Sequence, residues 1–355
     1  MNDLLKNARV LVCVGSGGVG KTTVASALAF RAAQMGKRVL VLTVDPAQRL
    51  KSTMGLQEQE EAEITHPSIT GKLTASVIDP KKIFDDFVRK ISSQSANIER
   101  ILKNKLYIQL TTTLSGSQEF TALQKLYSCL ESGKYDLIVL DTPPTKHAID
   151  FLEAPQKLSA VFNENVTKWF RDPDGTERGF FKSIFAVGTK QVMKALESMT
   201  GSEFMVELAD FFKNIQQWQS KLEQRIADVH NLLVHPSTHF VLVTSFDDAK
   251  LKEAEFFSKE IRKGGYQLSG VLINRAYPKG LDLRQKVQDH NSVEHMYNVY
   301  QKFLKEREEG FARFSIRMSG SGLASNPVLR LPELMNNISD LDGVAEMAKN
   351  IEEAT

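Results

Sequence analysis

Continuous apolar runs alternate along the chain with stretches whose apolar residues recur at helical spacing. The run Ala8–Val14 is apolar almost throughout, which is typical of a strand buried on both faces of a sheet. A helix is predicted from Lys21 to Met35, with Gly36 as its stop, and Arg38–Asp45 reads as a second buried strand. Strand, helix and strand in this order predict a right-handed parallel unit.

Further strands follow, and helical stretches separate them. They are predicted at Leu73–Asp79, Asp136–Asp141, Phe240–Phe246, Leu268–Asn274 and Val328–Leu331. This alternation predicts an α/β fold, a doubly wound and mostly parallel sheet with a helical subdomain. We expect residues 1–355 to form a single domain, with helical inserts over its core at 80–134 and 148–236.

Composition narrows the class of protein. Apolar residues make up 42% of the chain, charged residues 25%, and the formal net charge is +2. These values are ordinary for a globular protein and provide no basic stripe for nucleic acid. No apolar run approaches the roughly 20 residues of a membrane helix, and the start lacks the layout of a signal peptide. We therefore expect a cytoplasmic protein with no nucleic-acid partner and no stable membrane insertion.

The stretch VGSGGVGKTT follows the first predicted strand and opens the first long helix. It satisfies the pattern G-x-x-x-x-G-K-[ST] of a phosphate-binding loop. Backbone N–H groups and the helix N-terminus bind phosphate oxygens in such a loop, while Lys21 reaches the outer phosphates and the Thr22 hydroxyl ligates magnesium. The nucleotide-contacting residues predicted here are Gly15, Ser16, Gly17, Gly18, Val19, Gly20, Lys21, Thr22 and Thr23.

Acidic residues stand at the ends of two predicted strands. The run LIVLD ends in Asp141, whose carboxylate is expected to hold magnesium through water. The segments DPAQRL, from Asp45, and DTPPTKHAIDFL, from Asp141, begin where the crevice of such a sheet opens. Each contains proline, which stiffens the chain. Both segments are candidates for sensing the terminal phosphate of a nucleotide.

Together these motifs resemble those of the arsenical-pump and tail-anchored-protein-targeting ATPases. The loop and the two strand-end segments look like the phosphate loop and the two switches of that family. Four further segments have counterparts in the same order: VIDPKKIFDDF (77–87), LSGSQEFTALQKL (114–126), VLINRAYP (271–278) and VLRLPEL (328–334). The resemblance covers most of the chain and is weakest in the helical interval after Phe151.

The resemblance implies roles for individual residues. Asp45 corresponds to the switch residue that positions the attacking water, and it reaches magnesium through water, as Asp141 does. Asn274 corresponds to an asparagine that reads adenine. Asp247 and Glu253 lie where the family keeps acids near the nucleotide and the dimer partner, although acids also favour the first turn of any helix. The base is expected against the backbone of Pro332, Glu333 and Leu334.

One departure from the family lies in the phosphate loop. Ser16 stands where the family has a lysine that reaches across a dimer to the partner's ATP, and a cation in that role is worth about 10³–10⁵ in rate. Arg49 and Lys146 are the cations nearest in sequence to the two switches. We hypothesise that one of them substitutes, the alternative being a solvated surface charge. The predicted catalytic set is thus Asp45, Lys21 and Arg49.

The cysteine content is a second departure. The chain has two cysteines, Cys13 and Cys129, and no C-x-x-C motif. A zinc-bridged dimer of the targeting type is therefore not expected, nor is a site with three thiolates for a metalloid. Paired cysteines for an iron–sulfur cluster, as in nitrogenase reductase, are not expected either. The predicted cofactors are ATP and Mg²⁺.

The sequence thus predicts a magnesium-dependent ATPase that converts ATP and water to ADP and phosphate. By the resemblance it is a homodimer or a heterodimer of paralogues that opens and closes with nucleotide state and acts on a bound partner. Apolar stripes at 180–199 and 205–229 either pack on the protein itself or bind an apolar client helix.

Two alternative functions stay open. One is a spatial regulator of the septum-placing or chromosome-partitioning type, which the acidic end of the chain and the lack of a basic face disfavour. The other is a nucleotide-binding scaffold that does not hydrolyse ATP, which the presence of Asp45 and Asp141 disfavours.

Overall fold

The computed structural model describes residues 1–43, 49–55, 61–91, 98–103, 108, 117–142, 219–276, 291–318, 327–334 and 338–353. The chain divides into two compact units. The first comprises Met1–Ile78, Lys125–Leu152 and Leu232–Thr355, and the second comprises Asp79–Gln124 and Glu153–Asn231. All strands of the described residues belong to the first unit.

Helices and strands alternate along the described residues. Their bounds are α1 Asn2–Asn7, β1 Val10–Val14, α2 Lys21–Gln34, β2 Arg38–Thr43, α3 Arg49–Met54, β3 Glu61–Ile64, β4 Lys72–Val77, α4 Pro80–Ile91, α5 Ile98–Leu102, α6 Ser117–Glu131, β5 Leu137–Asp141, α7 Gln219–Val234, β6 Thr238–Ser245, α8 Asp248–Lys263, β7 Leu268–Ala276, α9 Asn291–Met318, β8 Val328–Pro332 and α10 Leu341–Glu353.

The strands form one sheet in the order β3-β4-β2-β5-β1-β6-β7-β8. Every neighbouring pair is parallel except β3 and β4, which are antiparallel. The predicted α/β fold with a mostly parallel sheet is confirmed. Strands β2 to β5 lie on one side of β1, and β6 to β8 lie on the other. Ligands bind outside the carboxyl ends of the strands where the strand order reverses in this way, so the end of β1 at Val14 is the expected location of a site.

The centre of the sheet is apolar because helices cover it. Strands β1 and β5 are buried at every position, as the continuous apolar runs predicted. Helix α2 is rich in alanine and buries eleven of its residues. Its small side chains share one core cluster with strands of the sheet and with α10, which contributes Val344, Met347, Ala348 and Ile351. The acidic C-terminal segment therefore folds as a helix whose apolar residues lie in the core.

Strand β3 was not predicted from the sequence. Its four residues, EAEI, include two glutamates, and only Ile64 is buried. Short charged strands are common at sheet edges because charge there prevents edge-to-edge pairing. Within the described residues, no helix is both long and apolar enough to cross a lipid bilayer. The predicted apolar stripe at 180–199, and 205–218 of the second stripe, lie outside the described residues.

Candidate active site

The predicted phosphate loop connects the end of β1 to the start of α2, in the first unit. Two glycines are required there because a Cβ would clash with a neighbouring strand. A Cβ on Gly15 would lie 2.1 Å from the carbonyl oxygen of Val243 in β6. Gly20 has a φ of 86°, and a Cβ there would lie 2.3 Å from Nδ2 of Asn274. Gly17 and Gly18 are exposed at the tip of the loop, while Val19 is buried beneath it.

The two polar residues that open α2 are buried, as a phosphate site requires. Lys21 is 7% exposed, and its ammonium donates to the carbonyl oxygen of Ser16 at 3.2 Å. Thr22 is 9% exposed, and Thr23 is half-buried. The first turn of α2 contains no acid, so its N–H groups and Lys21 make this end of the helix electropositive.

Asp141 lies at the centre of a cluster of hydroxyl groups. Its Oδ2 accepts hydrogen bonds from Thr22 Oγ1 at 2.7 Å and from Thr43 Oγ1 at 2.9 Å. Asp141 is only 1% exposed, and these hydroxyls come from the carboxyl end of β2 and the start of α2. A carboxylate next to a loop hydroxyl is the hard oxygen donor set that Mg²⁺ prefers. The chemistry of these residues fits magnesium.

Thr43 was not among the residues predicted for the site. It is fully buried at the last position of β2, opposite Asp141 in the parallel register. A second hydrogen bond joins the carboxyl ends of β5 and β1: the Thr142 hydroxyl donates to the carbonyl oxygen of Cys13 at 2.8 Å. A threonine ending an apolar run beside a predicted acid is the signal that could have identified Thr43.

Asn274 is held against the phosphate loop. It is 4% exposed, and its Nδ2 donates to the carbonyl oxygen of Val19 at 2.9 Å. The β7–β8 pairing shifts register between Ile273 and Ala276, and Arg275 has a φ of 56°. A bulge re-aims side chains, and a non-glycine residue in this conformation costs about 1–3 kcal/mol, so the backbone here is held by its surroundings.

The predicted base-lining segment ends at the same edge of the sheet. Pro332 pairs with Ala276, and the Glu333 N–H donates to the carbonyl oxygen of Ala276 at 2.9 Å. Pro332 and Leu334 are half-buried, and Glu333 is exposed. Ala276 lies two residues after Asn274 in β7. The segment 332–334 is therefore close to Asn274, and these are the two predicted contacts to the base.

Asp247 is the N-cap of α8. Its Oδ1 accepts hydrogen bonds from the N–H groups of Ala249 and Lys250 at 3.0 and 3.3 Å. Arg307 of α9 donates to the carbonyl oxygen of the preceding residue, Phe246, at 2.6 Å. The side chain of Asp247 is thus engaged in the capping role that aspartate favours.

Glu253 lies beside Ser16 and pairs with Lys250. Both of its carboxylate oxygens accept hydrogen bonds from the Lys250 ammonium, at 3.1 and 2.9 Å. The pKa of Glu253 is lowered, first by Lys250 and then by Ser16, against the opposing effect of burial. The carboxylate is therefore charged, and it links a residue of the loop to a lysine of α8.

Some predicted residues lie outside the described part of the chain. Asp45 and Lys146 are among these residues, so their contacts remain predictions. Arg49 is the first residue of α3, and its side chain is not described either.

Both cysteines are present in the described residues. Cys13 is fully buried, and burial raises its thiol pKa well above the usual range, so the thiol stays protonated. Burial also raises the pKa of Cys129. Within the described ranges, no three His, Cys, Asp or Glu side chains cluster in a way that could hold a metal ion.

Comparison of the sequence with known proteins finds similarity to ATPases. A family model described as anion-transporting ATPase matches residues 8–320. The chain is 25% identical over 356 residues to a protein of Aquifex aeolicus (strain VF5) named, provisionally, arsenical pump-driving ATPase 1, covering 97% of this chain and 78% of that protein. It is 24% identical over 319 residues to ATPase get3 of Aspergillus terreus (strain NIH 2624 / FGSC A1156), covering 88% and 84% of the two chains.

Proposed function

Because the chain belongs to the anion-transporting ATPase family, we propose that it hydrolyses ATP in a magnesium-dependent reaction. The observation that carries the proposal is the convergence of the loop hydroxyl of Thr22 on the buried carboxylate of Asp141, 2.7 Å away. A carboxylate, a loop hydroxyl and a buried lysine at one helix N-terminus are the parts that phosphoryl transfer requires.

Each residue has a separate task in this proposal. The amides of 15–23 and the start of α2 bind the phosphates, and Lys21 leaves the carbonyl of Ser16 to neutralise charge on the outer phosphates. When bound, Mg²⁺ supplies Lewis-acid charge to the phosphate oxygens. Asp141 orients the Thr22 hydroxyl, and Asp45 holds the attacking water in line. Asn274, with 332–334, contributes to binding of the base.

The first test of the proposal concerns Asp45. We expect Asp45→Asn to bind Mg-ATP with nearly wild-type affinity and to hydrolyse it about 10²-fold more slowly, because the amide no longer orients the attacking water. Phosphate release and calorimetric binding measure the two quantities, with Asp136→Asn as the control that keeps wild-type turnover. A wild-type protein that binds Mg-ATP but releases no phosphate would instead support the non-hydrolysing scaffold.

We also propose that the ATPase works as a dimer whose facing nucleotide sites change with nucleotide state, and that it acts on an apolar segment of a client. The similarity to ATPase get3 and to proteins named after arsenical pumps supports the dimer. Helix α10 does not support the alternative of a septum-placing regulator, because its apolar residues lie in the core.

The client proposal predicts a nucleotide-dependent complex. We expect Asp45→Asn loaded with Mg-ATP to retain an apolar client helix at least tenfold more than wild-type protein loaded with ADP, because hydrolysis is the step that changes the switches. A fluorescent peptide of about 20 apolar residues titrated against both proteins in detergent measures the affinity. Equal affinities in both nucleotide states would refute a client role, and the gel-filtration mass of each state reports the dimer.

A further inference from the structure

Ser16 lies near two lysines of different helices, Lys21 of α2 and Lys250 of α8. Its carbonyl oxygen accepts from the Lys21 ammonium at 3.2 Å, and its hydroxyl lies near enough to Glu253 to lower the pKa of that carboxyl. Glu253 in turn accepts from the Lys250 ammonium at 2.9 and 3.1 Å. Ser16 carries no charge, yet the carboxylate beside its hydroxyl holds a lysine ammonium.

The first turn of α8 is anchored beside the loop. Asp247 caps the N–H of Lys250, and the Thr244 hydroxyl donates to the Lys250 carbonyl oxygen at 3.0 Å. Strand β6, which leads into this turn, approaches the loop so closely that a Cβ on Gly15 would contact Val243. The backbone of Lys250 is therefore held on both sides, while its side chain is 32% exposed and retains a flexible stem.

The charges of this cluster matter for an anionic ligand. A carboxylate beside the loop would repel phosphate if it stood alone, and Lys250 pairs with Glu253 in the structure. Because a triphosphate attracts the ammonium more strongly than one carboxylate does, a bound nucleotide competes with Glu253 for the lysine.

We propose that Lys250, positioned by Glu253 and Ser16, is a second cation for the terminal phosphate of the nucleotide. The proposal rests on the proposed ATPase function and adds a specificity residue to the same site. Lys250 strengthens the binding of ATP more than that of ADP, because ADP lacks the terminal phosphate. Arg49 and Lys146, which the sequence suggested as substitutes for the family's lysine at position 16, are then not required in that role.

The test compares nucleotide affinities by calorimetry in the presence of magnesium. We expect Lys250→Met to raise the Kd for ATP at least tenfold and the Kd for ADP less than threefold. Lys250→Arg, which keeps the charge, should bind ATP within threefold of wild type. The matched control is Lys252→Met, which removes a lysine of the same helix that pairs with Asp248 at 2.7 Å; both of its affinities should stay within twofold of wild type.

An i,i+3 ion pair contributes little to stability, so Lys250→Met should unfold at the wild-type temperature, which a thermal melt checks. A Kd for ATP unchanged in Lys250→Met overturns this inference and leaves the ATPase proposal intact. If Lys250→Met and Lys252→Met weaken ATP binding equally, the inference is overturned as well. The effect would then come from the loss of one positive charge anywhere on α8. Wild-type protein that binds neither nucleotide overturns both proposals.

Discussion

Replacing Lys21 with alanine is expected to lower ATP turnover about 10⁴-fold, the middle of the range for a cation lost from the transferring phosphoryl group. Lys21 is buried at the start of α2, and its ammonium donates to the Ser16 carbonyl oxygen, an acceptor that a charged phosphate would replace. The methyl group of alanine leaves the outer phosphates without a buried cation. Phosphate release under saturating ATP measures the loss.

The matched control for Lys21→Ala is Lys252→Ala, which removes an exposed lysine of α8 and should retain wild-type turnover. Far-ultraviolet circular dichroism and a thermal melt establish that both variants fold, since alanine favours helix and α2 continues beyond the substitution. Turnover of Lys21→Ala within tenfold of wild type would show that the loop is not the site of phosphoryl transfer.

The second large effect is expected from Asp141→Asn. The carboxylate accepts hydrogen bonds from Thr22 and Thr43, and its charge is buried next to the predicted magnesium ligand. Neutralising it should weaken the apparent affinity for Mg²⁺ about 10–100-fold, the scale seen when a group that orients a metal ligand is removed. Turnover should fall about 10³-fold, as for other charge-stabilising groups at a reacting centre. Turnover measured against magnesium concentration separates the two effects.

Asp136→Asn is the control for this prediction because it changes an acid at the opposite end of the same strand. Asp136 pairs with Arg38 at 2.7 Å, and hydrogen bonds from Arg38 lower its pKa to about 2. Five residues of β-strand place it roughly 16 Å from Asp141. The magnesium dependence of Asp136→Asn should equal that of wild type. If Asp141→Asn also retains wild-type magnesium dependence, Asp141 does not hold the metal.

Much of the fold was predictable because apolar runs and helical spacing record burial directly. Strands β1 and β5 are buried on both faces and are apolar at every position except the terminal Asp141, so the pattern alone identified them. Strand β3 was not, since an edge strand of four residues needs few apolar side chains. The phosphate loop was predictable for another reason: a Cβ on Gly15 would clash with Val243 and one on Gly20 with Asn274, so glycine is needed at fixed positions of the motif.

The rest of the site depends on contacts between distant parts of the chain. Asn274 reaches Val19 across 255 positions, and the bulge that aims it leaves no periodic signal in the sequence. The cluster of Ser16, Glu253 and Lys250 is similar: the resemblance drew attention to Ser16 and Glu253, but nothing in the sequence indicated Lys250, and proximity in sequence favoured Arg49 and Lys146 instead. Such long-range polar contacts can be predicted only once the strand order is known, because that order brings the start of α8 to the loop.

The central claim is that 15–23 wrap the phosphates of a nucleotide beside magnesium held through Asp141. Calorimetric titration of Mg-ATP into the wild-type protein and into Lys21→Ala tests it most directly. The account predicts saturable heat for the wild type, with one nucleotide per chain, and at least a hundredfold weaker binding for Lys21→Ala. No heat from the wild type, or equal binding by both proteins, would contradict it.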